Sequence, residues 1–336
     1  MKYLMIIAVM GLLLLSLLDK KNKQKYIIFS GVVLILYSTF RFYLGGNVVI
    51  GNDYLSYQTW FNSIDKINIW NVSNVLFNIL LLLIKKVFNN YIIFVFLTST
   101  FFVFSIYKFS IKNTIKNSYV IAIFVFLTIG IYELGMSAIR QWIAGSIFLL
   151  SVPYIKEKNF FKYFISLLIA GFFHNSAWIL IFIYPIINIK LEFKIKILFA
   201  FIFTFILYIF TYLGLDFKFA AMLDPTFLIK YQELNDELLS NYTLFIISFS
   251  CFFGIMLFYK KYCEYSSNHQ FELCYLMLLV SISLLATTSA LCGRFLQYFI
   301  PALTLVIPNI INIFDGKMKK ILMSIAVISL LLIYIL

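Results

Sequence analysis

Long apolar stretches alternate with short polar connectors along nearly the whole chain. A helix needs about 20 apolar residues to cross a hydrocarbon core of ~30 Å. The pattern therefore predicts an all-α, polytopic membrane bundle of about 12 transmembrane helices. They lie near residues 3–18, 26–43, 91–107, 118–134, 137–155, 160–174, 175–189, 195–213, 242–259, 270–290, 294–313 and 319–336.

One further apolar stretch, residues 73–88, is shorter than these and is interrupted by Lys85 and Lys86. It is predicted to form a short re-entrant or interfacial helix. A thirteenth crossing stays open as the alternative. It would move every later connector to the other side of the membrane, and the basic residues would no longer be concentrated in the cytoplasmic connectors.

The connectors between the predicted spans give an orientation. Lysine clusters such as Lys20 with Lys21 and Lys260 with Lys261 fall on one side, and the positive-inside tendency of short loops makes that side cytoplasmic. Both termini are then outside, as are two long loops at about 44–72 and 214–241. Because no linker or repeat interrupts the pattern, residues 1–336 are predicted to form a single transmembrane domain.

Composition agrees with a membrane protein. Apolar residues make up 63% of the 336 positions and charged residues 12%, against about 45–50% and about 25% in soluble domains. The net charge of +13 comes from lysines in connectors, which face anionic lipid headgroups, so nucleic-acid binding is not indicated. The four cysteines lack CxxC spacing and predict neither a disulfide framework nor a zinc site.

Three arginines need an explanation, because arginine at membrane depth costs ~2.5–3.5 kcal/mol and usually marks a functional site. Arg140 and Arg294 each open an apolar helix in the predicted outer half, and Arg41 ends the second span. Snorkelling to the outer headgroups is an alternative explanation for Arg41. An interfacial anchor paired with Glu133 is the alternative for Arg140.

His174 and Asp53 are the other candidates for chemistry. His174 lies where two short apolar helices meet, although a lone histidine is more often structural. Asp53 lies in a sequence that suits a turn or helix cap, but Tyr54, Tyr57 and Trp60 would also form a sugar-binding surface around it. Those aromatic residues equally fit an interfacial belt. A shared site is favoured because the topology places Asp53, Arg140, His174 and Arg294 at one membrane face.

Four short segments then occur in a fixed order: GNDYLSYQTWF (51–61), SAIRQWIAGSIFLLSVPYI (137–155), FFHNSAWI (172–179) and GRFLQYF (293–299). In that order they resemble the motifs of the EpsG/Wzy-like family of polysaccharide polymerases. The resemblance covers nearly the whole chain. One departure is Trp142, where the family often has a small residue after Arg-Gln.

The resemblance implies a glycosyltransferase that polymerises undecaprenyl-pyrophosphate-linked oligosaccharide repeat units for capsule, O-antigen or exopolysaccharide synthesis. It implies action at the outer face of the bacterial plasma (inner) membrane. The expected partners are these lipid-linked glycans, membrane lipids, and a chain-length regulator and flippase of the same pathway.

Site roles follow from the chemistry of such a reaction. Negative charge builds on the leaving pyrophosphate, and arginine binds phosphate bidentately, so Arg140 and Arg294, then Arg41, are predicted to bind pyrophosphate. His174 and Asp53 are the candidate catalytic residues, and which of them is the base stays open. No metal or cofactor is expected, because no DxD or HExxH pattern occurs. The predicted substrate contacts are Tyr54, Tyr57, Gln141 and Tyr298.

Other functions remain open at this point. An O-antigen ligase or another polyprenyl-linked sugar transferase would use the same arginine chemistry with a different acceptor. A flippase or transporter would place its site near the membrane midplane, on broken helices or in an inverted repeat. A structural subunit of a synthesis complex is the third alternative.

Overall fold

The computed structural model describes residues 2–44, 53–66, 75–115, 118–216 and 238–335. Within these ranges the regular secondary structure is helical, which confirms the predicted all-α class. The helices are α1 (Lys2–Leu18), α2 (Lys23–Leu44), α3 (Tyr54–Ser63), α4 (Val75–Phe88), α5 (Tyr91–Asn113), α6 (Tyr119–Thr128), α7 (Ile131–Ser137), α8 (Ile139–Lys156), α9 (Phe160–Phe173), a 3-10 helix (Asn175–Phe182), α10 (Ile183–Asn188), α11 (Phe193–Tyr212), α12 (Leu238–Leu257), α13 (Tyr259–Tyr265), α14 (His269–Leu285), α15 (Ala290–Leu296), α16 (Ala302–Ile313) and α17 (Gly316–Ile335).

Several of these helices suit a membrane. Among the described residues, α2, α5 and α11 are long and apolar enough to cross one, and the number rises from 3 to 5 if each of two bent pairs is one span. These pairs are α6 with α7, bent by 56°, and α12 with α13, bent by 90°. Shorter apolar helices include α1, α9, α14 and α16. The count of about 12 spans stays a prediction.

The apolar pattern locates most helices to within a few residues, but it misses their breaks. The predicted span 118–134 is divided at Gly130, whose φ of +82° is a left-handed conformation that glycine adopts without a steric penalty. The predicted span 294–313 is divided into α15 and α16, and 175–189 begins as a 3-10 helix. Helix α3 lies inside the long loop predicted at 44–72. The short helix predicted at 73–88 is α4.

Residues 1–181, together with 324–336, form one compact unit. In it α5 contacts both α2 and α8, and α8 and α9 form an antiparallel hairpin. Side-chain hydroxyls join α2 to α5: those of Ser38 and Ser99 lie 2.7 Å apart, and those of Ser30 and Tyr107 lie 3.1 Å apart. Such hydrogen bonds stabilise helix pairs where the surroundings are apolar.

An aromatic cluster fills the end of this unit at which α5 and α8 begin. It joins α3 and α4 to those two helices, and its centre includes Tyr57, Phe77, Tyr91, Phe94 and Ile139. Aromatic side chains bury large areas and favour tilted or edge-to-face pairs, as between Phe77 and Phe94, whose ring planes meet at 83°. The cluster holds the short helix α3 against the longer helices α4, α5 and α8.

Residues 182–323 form a second compact unit, organised around α14. Glu272 of α14 is only 1% exposed. Its carboxylate accepts hydrogen bonds from Tyr262 at 2.6 Å, Ser266 at 2.9 Å and Asn309 at 3.0 Å. These bonds tie α13 and α16 to α14. The single transmembrane domain over residues 1–336 stays a prediction.

Candidate active site

Helix α3 turns three aromatic side chains toward two arginines. Tyr54, Tyr57 and Trp60 are spaced three residues apart and so lie along one face of the helix. The Tyr54 ring centroid is 4.8 Å from Cζ of Arg41. The Trp60 and Tyr57 centroids are 4.9 and 5.9 Å from Cζ of Arg140. At these distances the negative faces of the rings attract a guanidinium group.

Arg140 lies in the first turn of α8, partly buried among aromatic rings. Phe77 of α4 adds a third ring at 5.8 Å. The Tyr57 phenol oxygen is hydrogen-bonded by the Arg140 side chain and also lies 3.5 Å from its backbone nitrogen. Burial raises the pKa of the Tyr57 phenol, and the neighbouring guanidinium offsets only part of that effect. Tyr57 therefore remains a neutral phenol at neutral pH and is a poor general base.

Arg41 is fully buried, with 0% exposure, and does not snorkel to the surface. Its Nη1 donates to the Ser38 carbonyl at 2.7 Å and hydroxyl at 3.1 Å, and its Nη2 donates to the Met136 carbonyl at 2.9 Å. Met136 lies in the last turn of α7, directly before α8. Arg41 thus ties the end of α2 to the junction from which Arg140 projects.

A cavity of about 10 Å³ lies beside Arg41, lined also by Ser99 and Trp142. That volume is about the size of one water molecule. Trp142, the departure noted in the sequence motif, is only 2% exposed and packs edge-on against Phe102 at 5.0 Å. Its indole is therefore part of the packed interior of the first unit.

His174 follows the last residue of α9 and folds back onto the next turn. Its Nδ1 lies 2.6 Å from the Ser176 hydroxyl and 3.3 Å from the Ser176 backbone nitrogen. Since a backbone N–H can only donate, Nδ1 accepts, and the proton of the neutral ring lies on Nε2. In this tautomer the ring offers an N–H donor, which suits contact with an anion better than removal of a proton.

The α8–α9 hairpin brings Arg140 and His174 to the same end of the first unit. Only residues 157–159 connect the two antiparallel helices, so the start of α8 and the end of α9 lie at the same level. Phe173, next to His174, packs against the same aromatic cluster as Ile139, next to Arg140. The structure therefore places the two predicted residues at the same end of the first unit.

Asp53 lies at the same end of this unit, at the N-cap position of α3. Its side chain is exposed and makes no capping hydrogen bond, and its charge acts on the Tyr57 phenol. Because Tyr57 contacts Arg140, the carboxylate lies close to the arginine–aromatic group. Four predicted residues, Asp53, Arg140, His174 and Arg41, thus share one end of the first unit.

The remaining predicted site residues differ in their exposure and in the unit to which they belong. Gln141 follows Arg140 and is 5% exposed. Arg294 and Tyr298 belong to the second unit: Arg294 is exposed on α15, whereas Tyr298 is 2% exposed and its carbonyl accepts a hydrogen bond from Tyr275 at 2.5 Å. The roles assigned to these residues stay predictions.

A family model described as the EpsG family matches residues 31–336. The chain belongs to the EpsG family. This confirms the resemblance drawn from the four motifs, and the match includes every predicted site residue. Membership in the EpsG family implies a membrane protein that acts as a polysaccharide polymerase. No curated protein and no solved structure matches the chain.

In this EpsG-family chain, sequence reasoning missed the contacts between the aromatic rings and the arginines. It grouped Trp60 with Asp53 as a sugar-binding surface and assigned nothing to Phe77. The three-residue spacing of Tyr54, Tyr57 and Trp60 was available as a signal for one helical face. No signal in the sequence indicated that Phe77, from a separate helix, would contact Arg140.

Proposed function

We propose that this EpsG-family protein polymerises undecaprenyl-pyrophosphate-linked oligosaccharide repeat units at the outer face of the bacterial plasma membrane, without a metal ion. The observation that carries the proposal is the gathering of Arg140, His174 and Asp53 at one end of the first unit, together with the buried Arg41. A cation and an N–H donor can stabilise the charge that develops on a leaving pyrophosphate, and a carboxylate can accept the proton of the attacking hydroxyl.

In the proposed reaction, a hydroxyl oxygen of one repeat unit attacks the anomeric carbon of the glycan on the other carrier. A new glycosidic bond forms, and the bond from that carbon to the pyrophosphate oxygen breaks. The electron pair leaves with undecaprenyl pyrophosphate, whose added charge is stabilised by Arg140 and by Nε2–H of His174. Asp53 accepts the hydroxyl proton. This division of roles is supported by the His174 tautomer and by the exposed carboxylate of Asp53.

The other predicted residues complete the proposal. Arg294, exposed on α15, is proposed to bind a pyrophosphate group of a lipid-linked substrate, because guanidinium and phosphate pair bidentately. Arg41, whose guanidinium donates to Ser38 and Met136, and Tyr54, whose ring lies over it, are proposed to support Arg140 rather than to contact substrate. Tyr57 and Gln141 are proposed as glycan contacts in the first unit, and Tyr298 as a substrate contact in the second. A chain-length regulator and a flippase of the same pathway are the proposed protein partners.

The direct test is polymerisation by the purified protein. Given an undecaprenyl-pyrophosphate-linked oligosaccharide, it should form a ladder of products that differ by one repeat unit on a gel. The ladder should persist with EDTA, because arginine takes the place that a metal has in many transferases. A single transfer to another lipid acceptor, with no ladder, would favour a ligase. A ladder lost with EDTA and restored by Mg²⁺ would contradict the metal-independent mechanism.

The orientation can be tested with two matched cysteine substitutions in a variant whose four native cysteines are replaced by serine. Ser63 ends α3 and Ser267 follows α13, and both are exposed. In intact cells, an impermeant thiol reagent should label Ser63→Cys, which we place outside, and should reach Ser267→Cys only after lysis. The opposite pattern would invert the topology and move the proposed site to the cytoplasmic face.

A further inference from the structure

The guanidinium of Arg140 contacts three aromatic rings that belong to two helices, α3 and α4. Of the three ring centroids, that of Trp60 lies nearest Cζ of Arg140, at 4.9 Å, with those of Tyr57 and Phe77 at 5.9 and 5.8 Å. Tyr57 is 5% and Phe77 0% exposed, whereas Trp60 is partly exposed. Two buried rings therefore form the inner wall around the guanidinium, and the indole closes its outer side.

The backbone that carries Arg140 is held as well. Arg41 donates to the carbonyl of Met136, just before α8 begins, and Tyr54 stacks on Arg41 at 4.8 Å. Because Tyr54 and Trp60 belong to the same helix, α3 contacts both the support of the α7–α8 junction and the guanidinium itself. A rigid helix that makes both contacts fixes the two arginines relative to each other.

We propose that Trp60 is a positioning residue that holds the Arg140 guanidinium in the orientation in which it binds pyrophosphate. The inference rests on the proposed function, which gives Arg140 that ligand. An arginine side chain has several rotatable bonds, and a group that must adopt one orientation binds better when its surroundings hold it there beforehand. Tryptophan suits this role because its ring is the strongest cation–π partner among the aromatic side chains.

Packing alone is the competing explanation for Trp60, since its ring also lies 5.3 Å from that of Phe77. The two explanations differ in what they require of the side chain. Packing depends on apolar volume, and methionine and phenylalanine fill similar volumes. Attraction to a guanidinium depends on the charge distribution of an aromatic ring, which phenylalanine retains and methionine lacks.

The test therefore compares Trp60→Phe with Trp60→Met. We expect Trp60→Met to lower kcat/KM for the lipid-linked oligosaccharide about 3- to 30-fold, in line with the strength of partly desolvated cation–π contacts. Trp60→Phe should retain more of the activity, and Trp60→Tyr should retain most of it. Thermal midpoints of the purified variants provide the measure of packing, and these should be similar for Phe and Met.

A second measurement does not depend on activity. Phenylglyoxal modifies accessible guanidinium groups, and this chain has only three arginines, which mass spectrometry can distinguish. Arg140 should be modified faster in Trp60→Met than in Trp60→Phe, with Arg294 as the internal reference. Leu55→Ala, on the exposed side of α3 with 56% exposure, should change neither readout.

The outcomes separate the two hypotheses. Equal kcat/KM and equal Arg140 modification in the Phe and Met variants would overturn the positioning role and leave the polymerase proposal intact. A wild-type protein that forms no polymer would overturn the proposed function, while the modification rates would still measure whether Trp60 holds Arg140. If Trp60→Met does not fold, Trp60→Leu takes its place in the same comparison.

Discussion

Arg140→Ala should abolish polymer formation by the purified protein while leaving its amount in the membrane unchanged. The substitution removes the cation that we propose to stabilise the leaving pyrophosphate, and loss of one preorganised group of this kind typically costs about 10²–10³-fold in rate. Folding should survive, because Arg140 lies at the start of α8 and is only partly buried. The readouts are the product ladder and the level of protein in isolated membranes.

Two further variants make this result interpretable. Arg140→Lys keeps the charge but loses bidentate binding and ring stacking, so an intermediate rate is expected. Lys2→Ala removes another cation of the same unit, one that pairs with Glu133 at 3.0 Å. Since partly exposed ion pairs contribute little, its ladder should be normal. A normal ladder from Arg140→Ala would exclude Arg140 from the mechanism.

Helix positions could be predicted from sequence because a membrane imposes a strong length requirement. Each crossing needs a sustained apolar stretch, and so the bounds of α1, α9 and α11 follow closely from hydropathy. Hydropathy did not predict helix α3, since this helix is short and mixes polar with aromatic residues. Hydropathy did not predict the break at Gly130 either, because the average over a whole apolar segment changes little with one glycine.

The types of residue at the candidate site could be predicted from the sequence, but the contacts between them could not. Scarce ionisable groups near apolar segments identified Arg140, His174 and Asp53, and the α8–α9 hairpin explains why Arg140 and His174 lie at the same end of the first unit. Arg41 illustrates the limit. Its place at a helix end suits snorkelling, yet the guanidinium turns inward, because Ser38 and the carbonyl of Met136 offer acceptors. Met136 is distant in sequence, so no local pattern could indicate that bond.

Glu272→Leu should unfold the second unit at a markedly lower temperature. The substitution leaves the hydroxyls of Tyr262 and Ser266 and the amide of Asn309 without their acceptor. Each buried polar group left unsatisfied costs about 1–3 kcal/mol, so we expect the free energy of unfolding to fall by several kcal/mol. The thermal midpoint of detergent-solubilised protein, followed by size-exclusion chromatography after heating, measures the change.

Two further substitutions test why the thermal midpoint falls: the same change at an exposed glutamate, and a milder change at Glu272. Glu264→Leu makes the same change at an exposed position of α13 and should leave the midpoint unaltered. Glu272→Gln should fall between the two, because its new amide can donate to Oδ1 of Asn309, a buried oxygen with no hydrogen-bond donor among the described residues. If Glu272→Leu melts at the wild-type temperature, the carboxylate does not hold α13 and α16 to α14, and apolar packing alone joins these helices.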